Sequence, residues 1–213
     1  VWALAAATLA LPGVVQAQKD PDPVALDAVV VSAQKRTQSL DEVPLSMQLI
    51  DGAGLDDQGI KDTSQLGGQA ANVKITQNTA EGTAPAITIR GVGNLDYNTS
   101  TTSPIGVYVD GVGGGTGNRH LVNLYDVESV EILRGPQGTL FGRNTTAGAI
   151  LVNSRRPVMD REGYIDIGIG SDDAYRLGGA WNWPVSDRVA VRAAFDQRRY
   201  DYTVNNLFPP APE

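Results

Sequence analysis

No cysteine occurs among the 213 residues, which removes disulfides, thiolate catalysis and Cys-ligated zinc. A single histidine, His120, leaves a His-rich metal site or a Ser–His relay almost without material. Basic residues are outnumbered, 17 Lys and Arg against 24 Asp and Glu, for a net charge of −7. That balance argues against nucleic-acid binding, which draws on a basic face. Long apolar runs are also missing. The one uncharged apolar stretch, Val1–Val15, is interrupted by Pro12-Gly13 and falls short of the roughly 20 residues a membrane-spanning helix needs. Glycine, in contrast, is abundant: 24 of 213 residues, against a usual share of ~7%. Many tight turns and few long helices are expected, and 41% apolar content is enough for a packed core.

Residues 1–17 read as the remainder of a secretory signal: a short apolar run, then small residues at Val15 and Ala17. The sequence has no starting Met and no basic leader, as expected if its first residues are missing. Export follows, and the absence of Cys is compatible with an envelope location. Residues 18–42 form a linker. Lys19–Ala25 is polar and Pro-rich, hence extended and flexible. Leu26–Ala33 is a short β-branched burst that reads equally as an edge strand or as a recognition strand that adds to a partner's sheet.

From Val43 to Pro157 the pattern predicts a mixed α+β domain of short strands and short helices. Strands are expected at Leu45–Ile50, Val73–Thr76, Ala86–Arg90, Gly106–Asp110, Glu128–Arg134 and Gly148–Asn153. Asp51 is placed to cap a helix over Gly52–Gln58, and Asp62 or Thr63 to start a second one ending near Gly67-Gly68. Asn94–Ser103 reads as a polar loop and Gly111–Arg119 as a Gly-rich one, the kind that is functional or mobile. No nucleotide motif survives inspection. Gly138–Gly142 has three residues between its glycines and lacks the following Lys of a phosphate-binding loop, and the runs from Gly91 and Gly111 fail at the sixth position of a dinucleotide fingerprint. Asp126, Glu128 and Glu131 read as solvated or salt-bridged surface, the first two on one strand face and the third on the other. An enzyme is not expected, and neither a cofactor nor a metal is called for.

Several motifs follow one another in order: Ile89–Gly93 (IRGVG), Gly106–Val112 (GVYVDGV), Val127–Pro136 (VESVEILRGP), Gln137–Asn144 (QGTLFGRN) and Gly148–Pro157. The stretch from Leu26 to Pro157 resembles the box-and-plug region of the TonB-dependent outer-membrane receptors. The resemblance implies a plug inside a 22-stranded barrel, substrate arriving from outside, and inner-membrane TonB pulling on a box. It assigns Asp27, Ala28, Val29, Val30, Val31, Ser32 and Ala33 to the TonB box, with Gln34–Glu42 supplying slack. It assigns Arg90 and Arg134 to ion pairs with barrel-wall carboxylates, local pairing of Arg134 with Glu131 being the simpler reading. It also places Asn94, Tyr97, Asn98 and Thr99, with Thr116, Asn118 and Arg119, in plug loops that face a ligand, against plain solvation of polar loops.

Residues 158–213 change to a period of two. Ile165, Ile167 and Ile169 alternate with Asp166, Gly168 and Gly170; Tyr175, Leu177, Trp181 and Trp183 alternate with Arg176, Gly178, Ala180 and Asn182; Val189, Val191, Ala193 and Phe195 alternate with Ala190, Arg192, Ala194 and Asp196. A soluble antiparallel sheet shows the same alternation, but position after a plug favours the first antiparallel strands of an incomplete transmembrane β-barrel. Trp181 and Trp183 fall where an interfacial aromatic belt is expected. Three strands do not close a barrel, so the chain reads as an N-terminal fragment, transport-incompetent alone, that stops within an external loop. The expected whole is an importer of a scarce solute, most often a ferric siderophore, with TonB, outer-membrane lipid and a small-molecule iron chelate as partners. The rival reading is a periplasmic adaptor or signalling module that uses the plug-like domain for protein contacts alone.

Overall fold

The computed structural model describes residues 30–31, 35–36, 38–77, 85–94, 101–115, 119–171 and 174–199. The leader (1–17), the Pro-rich linker and the expected external loop after residue 199 lie outside the described residues. The first hairpin pairs β1 (Val30–Val31) with β2 (Gln38–Ser39). β3 (Met47–Asp51) leads into the short helix α1 (Gly52–Asp57), where an Asp51 carboxylate oxygen accepts the Gly54 N–H at 2.8 Å, the expected cap. Asp62 caps a second turn as expected, but Thr63–Gly68 is wound as a 3-10 helix, not an α-helix. The turn closes at Gly67-Gly68, where the sequence places its end.

β4 (Val73–Thr76), β5 (Ala86–Ile89) and β6 (Val92–Gly93) form a three-stranded sheet. β7 (Ile105–Val109) and β8 (Val112–Gly113) form a second tight hairpin. β9 (Val127–Arg134), the one-turn helix α2 (Gly138–Phe141) and β10 (Gly148–Ser154) complete the domain. Its main sheet has five strands in the order β3-β9-β10-β7-β8, with β10 and β7 parallel and the other pairs antiparallel.

Both faces of that sheet are covered. One carries Ile50, Val107, Val130, Ile132, Ile150 and Val152 into a core shared with Leu55, Leu66 and Ile89. The other carries Leu133, Ala149 and Leu151 against Val31 and Val43. Strands buried on both faces read as near-continuous apolar runs, which is why β9 and β10 lack alternation. Glu131 lies in that second face and is buried, contrary to its reading as solvated surface; Asn153 donates to its carboxylate at 2.9 Å. Asp126 does not share a strand face with Glu128, because it sits in a turn before β9 with φ at 53°.

The two hairpins have one chemistry. Arg90-Gly91 and Asp110-Gly111 are two-residue loops whose φ values are all positive, 52° and 80°, then 49° and 82°. Such loops match the twist of the strands they join, and the Asp-Gly pair is a strong signal for them. The loop anticipated from Gly111 therefore begins as a strand return.

β11 (Glu162–Ile169), β12 (Tyr175–Ser186) and β13 (Val189–Arg199) form an antiparallel sheet of their own. Its period-two pattern is obeyed: Ile165, Ile167 and Ile169 stand exposed, Ile169 by 90%, with Trp181, Trp183, Val191 and Phe195 on the same face. Among the described residues β11 and β13 each have one neighbour, so the sheet is open at both edges. No helix of the described residues is long and apolar enough to cross a membrane, which says nothing of strands.

Candidate functional site

Two places on the mixed domain carry interactions that local packing alone does not require. The first is the β1–β2 hairpin. Val31 is buried in the second core face, and Lys35, in the hairpin turn, stands over the Phe141 ring at 5.6 Å. Phe141 in turn receives the Tyr108 hydroxyl on its carbonyl oxygen at 2.7 Å, with the two rings 5.0 Å apart. Burial pushes the Tyr108 phenol above its ordinary pKa. Of the anticipated box, Val30 and Val31 are therefore strand-paired and Val31 is docked, while Asp27, Ala28, Val29, Ser32 and Ala33 lie outside the described residues. The segment after the box is not slack throughout: Gln38–Ser39 pairs with the box and Leu40–Glu42 forms a 3-10 turn.

Arg90 and Arg134 converge on Ser46. Arg90 donates to the Ser46 hydroxyl at 2.9 Å, and the Arg134 backbone N–H donates to the Ser46 carbonyl at 2.9 Å. The Arg134 guanidinium also donates to the carbonyls of Ala71 and Met47, at 3.2 and 3.3 Å. It does not pair with Glu131, because residues three apart on a strand face opposite ways. Its Nε is buried without an acceptor among the described residues.

Of the anticipated ligand loops, Asn94 directly follows β6, and Arg119 is exposed beside Gly114. Tyr97, Asn98, Thr99, Thr116 and Asn118 lie outside the described residues.

The second place is a polar seam between the segment 120–126 and the inner face of the three outward-apolar strands. The segment is clipped to the 3-10 turn from its start. Thr63 donates from its hydroxyl to the His120 carbonyl at 2.5 Å and from its N–H to the Val122 carbonyl at 3.0 Å, and Leu124 donates to the Lys61 carbonyl at 2.9 Å. His120 is itself buried, and burial holds its imidazole below the ordinary pKa of 6.5. Beyond this clip Tyr125 lies against β12 where Gly178 leaves room; a Cβ there would come within 2.6 Å of the Tyr125 hydroxyl oxygen. The Arg176 guanidinium sits 5.1 Å from the centre of the same ring.

Next in the chain, Asp126 accepts from Arg192 of β13 and from the Tyr164 hydroxyl of β11, the latter at 3.2 Å. Glu162 takes the remaining Arg192 nitrogen at 2.8 Å. Asn123 donates to Asp196 at 3.1 Å, and Asp196 also binds Arg176 and Arg198 at 2.8 and 2.7 Å. Lower down, the buried Asn182 amide holds the strap leading into β11, donating to the carbonyls of Val158 and Asp160 at 2.7 and 2.6 Å.

Sequence reasoning placed the ion pairs between these two parts on Arg90 and Arg134. Among the described residues the one ion pair between the two parts joins a carboxylate on the mixed domain, Asp126, to a guanidinium on the strands, Arg192. The signal was available: Arg176, Arg192 and Asp196 sit at inward positions of the period-two pattern, where unpaired charge is costly.

Residues 39–149, slightly more than half of the chain, match the TonB-dependent Receptor Plug Domain family. The pesticin receptor of Yersinia enterocolitica is 32% identical over 204 residues, covering 94% of this chain and 29% of that protein. The ferrioxamine B receptor of Salmonella typhimurium is 28% identical over 159 residues, covering 71% of this chain and 21% of that one. In structure, the ferric yersiniabactin uptake receptor FyuA from Yersinia pestis superposes with a TM-score of 0.60 at 30% identity, over 67% of this chain and 22% of that receptor. The chain thus spans less than a third of the length of these relatives. It belongs to the TonB-dependent receptors of the outer membrane, with residues 39–149 as its plug and the three outward-apolar strands beside it.

Proposed function

We propose that the receptor carrying this chain takes up a scarce solute across the outer membrane, and that the solute is a ferric siderophore. The observation that carries the reading is the seam: a plug bound by a buried ion pair and side-chain hydrogen bonds to the inward face of strands whose outward face is apolar. A domain so placed blocks the inside of a membrane sheet, and transport through it requires the plug to yield. Relatives named as the ferric yersiniabactin uptake receptor and the ferrioxamine B receptor support an iron chelate as the solute.

In this reading Asp27–Ala33 is the segment TonB grips. β-Augmentation of Val30–Val31 by TonB replaces their pairing with Gln38–Ser39, and a pull along the strand then acts on the face of β9 and β10 that Val31 covers. Arg90 and Arg134 meet carboxylates from strands beyond those described here, a role supported by the buried Arg134 Nε. Asn94, Tyr97, Asn98, Thr99, Thr116, Asn118 and Arg119 supply polar groups toward the incoming chelate. The three strands seal nothing by themselves, since lipid-exposed strand edges leave backbone groups unpaired.

Uptake of a panel of radiolabelled ferric siderophores tests the reading. The full-length receptor is expressed in iron-starved cells lacking their own receptors, with TonB present or deleted. Accumulation of at least one chelate that vanishes without TonB is expected. Background uptake of every chelate by cells whose outer membrane contains the receptor would overturn the iron assignment.

A further inference from the structure

The outward face of β11–β13 carries no acid: from Gly163, Ile165, Ile167 and Ile169 through Trp183 and Val185 to Val189, Val191 and Phe195, its residues are apolar or small until Gln197 and Arg199 at the far end. A cation packed on a Trp ring borders it at the opposite end. Arg161, just before β11, is exposed and holds its guanidinium 5.8 Å from the centre of the Trp183 ring. Arg161 has no carboxylate partner among the described residues, and the neighbouring Glu162 is taken by Arg192. Between Arg161, Glu162, Trp181 and Trp183 lies a cleft of about 330 Å³, in which the Glu162 carboxylate is paired with Arg192. Gly163 forms its floor, with no side chain to fill it; a Cβ there would come within 3.0 Å of the Trp181 ring.

The short Asp187-Arg188 turn is at this same end, and in outer-membrane barrels the short turns face the periplasm. Exposed Trp rings at that level belong to the water–lipid boundary, where an apolar ring body and a polar edge are both satisfied.

We infer that this cleft binds one glycerophospholipid of the periplasmic leaflet. The Arg161 guanidinium takes the phosphate, the rings of Trp181 and Trp183 flank the glycerol, and the acyl chains run along Ile165 and Leu177. Three features favour a phospholipid over a protein partner: the apolar strip that continues from the cleft, the Arg161 cation packed on Trp183 at its mouth, and an outward strand face without acids, Glu162 at the cleft being paired with Arg192. The inference rests on the outer-membrane reading of the strands.

Native mass spectrometry of the full-length receptor, delipidated in detergent and titrated with dioleoyl phosphatidylglycerol, tests it. The wild type is expected to retain one lipid more tightly than the rest. Arg161→Gln is expected to weaken that lipid by about fivefold, the worth of one cation near a membrane surface, whereas Arg161→Lys keeps most of the affinity. Trp183→Leu, which preserves apolar character, should weaken it as well. Equal retention in R161Q overturns the site. So does equal binding of diolein, which lacks the phosphate, or full displacement by millimolar inorganic phosphate, which would mark a free-anion site. Cell fractionation separates the two levels of failure. A receptor absent from the outer membrane removes the underlying reading, whereas a receptor present there with lipid binding unchanged in R161Q removes the lipid site alone.

Discussion

Arg192 grips Asp126 side-on: its Nε and one terminal nitrogen each donate to a different carboxylate oxygen, both at 2.7 Å. The side chains are 4% and 6% exposed, so this pair is sealed from water even though it joins two parts of the chain. Because a bidentate guanidinium–carboxylate pair is directional as well as strong, it sets the angle at which the plug meets the strands.

Removing one partner strands a buried charge on the other. Asp126→Ala in the full-length receptor should therefore lower stability by about 3–5 kcal/mol, whereas Asp126→Ala combined with Arg192→Met should recover part of the loss. Urea titration of the detergent-solubilised receptor measures both. A loss in the double variant equal to the sum of the losses in Asp126→Ala and Arg192→Met alone would show that the pair is not coupled.

Arg134 behaves differently because its partners are carbonyls. Arg134→Glu would point a carboxylate at the oxygens of Ala71 and Met47, with no donor to receive it. The plug should loosen, and cells carrying the variant should become sensitive to vancomycin, which an intact barrel excludes. Unchanged exclusion would show that the surrounding contacts hold the plug without this arginine.

His120 predicts a pH dependence. Burial lowers its folded-state pKa beneath 6.5, so the unfolded chain binds the proton more readily than the folded one. Stability contributed by the neutral imidazole is complete above pH 6.5 and declines as pH falls below it, toward the depressed folded value. Denaturant midpoints at pH 7.5 and 5.5 should differ in that direction. His120→Gln should flatten this part of the profile while keeping the carbonyl that Thr63 binds.

Val31→Pro tests the box hairpin. Proline removes a backbone donor and fixes φ, so neither Gln38–Ser39 nor an incoming TonB strand can pair normally at this position. Cells expressing the variant should bind the transported chelate at the surface as wild type does, yet accumulate it only at the level seen without TonB. Wild-type uptake would place the coupling segment elsewhere.

The linear order of residues was sufficient for whatever depends on near neighbours. Asp51 and Asp62 cap the turns that follow them because capping is decided within three residues. The isoleucines of β11 face outward because side chains alternate along any strand. The ordered motifs from Ile89 to Pro157 marked the family, since each records a local turn or strand return. Partnership across the fold was not legible in the same way. Glu131 looks like surface in sequence, and only the β1–β2 hairpin side of the sheet buries it. Asp126 and Arg192 are 66 residues apart, and nothing local in either predicts the other. The tertiary structure joins them because Thr63 clips the 120–124 segment in place and Gly178 leaves room for Tyr125, and those contacts bring the carboxylate to the inward face of β13. Capping and alternation act over a few bonds, whereas pairing of buried charge depends on which surfaces the whole chain brings together.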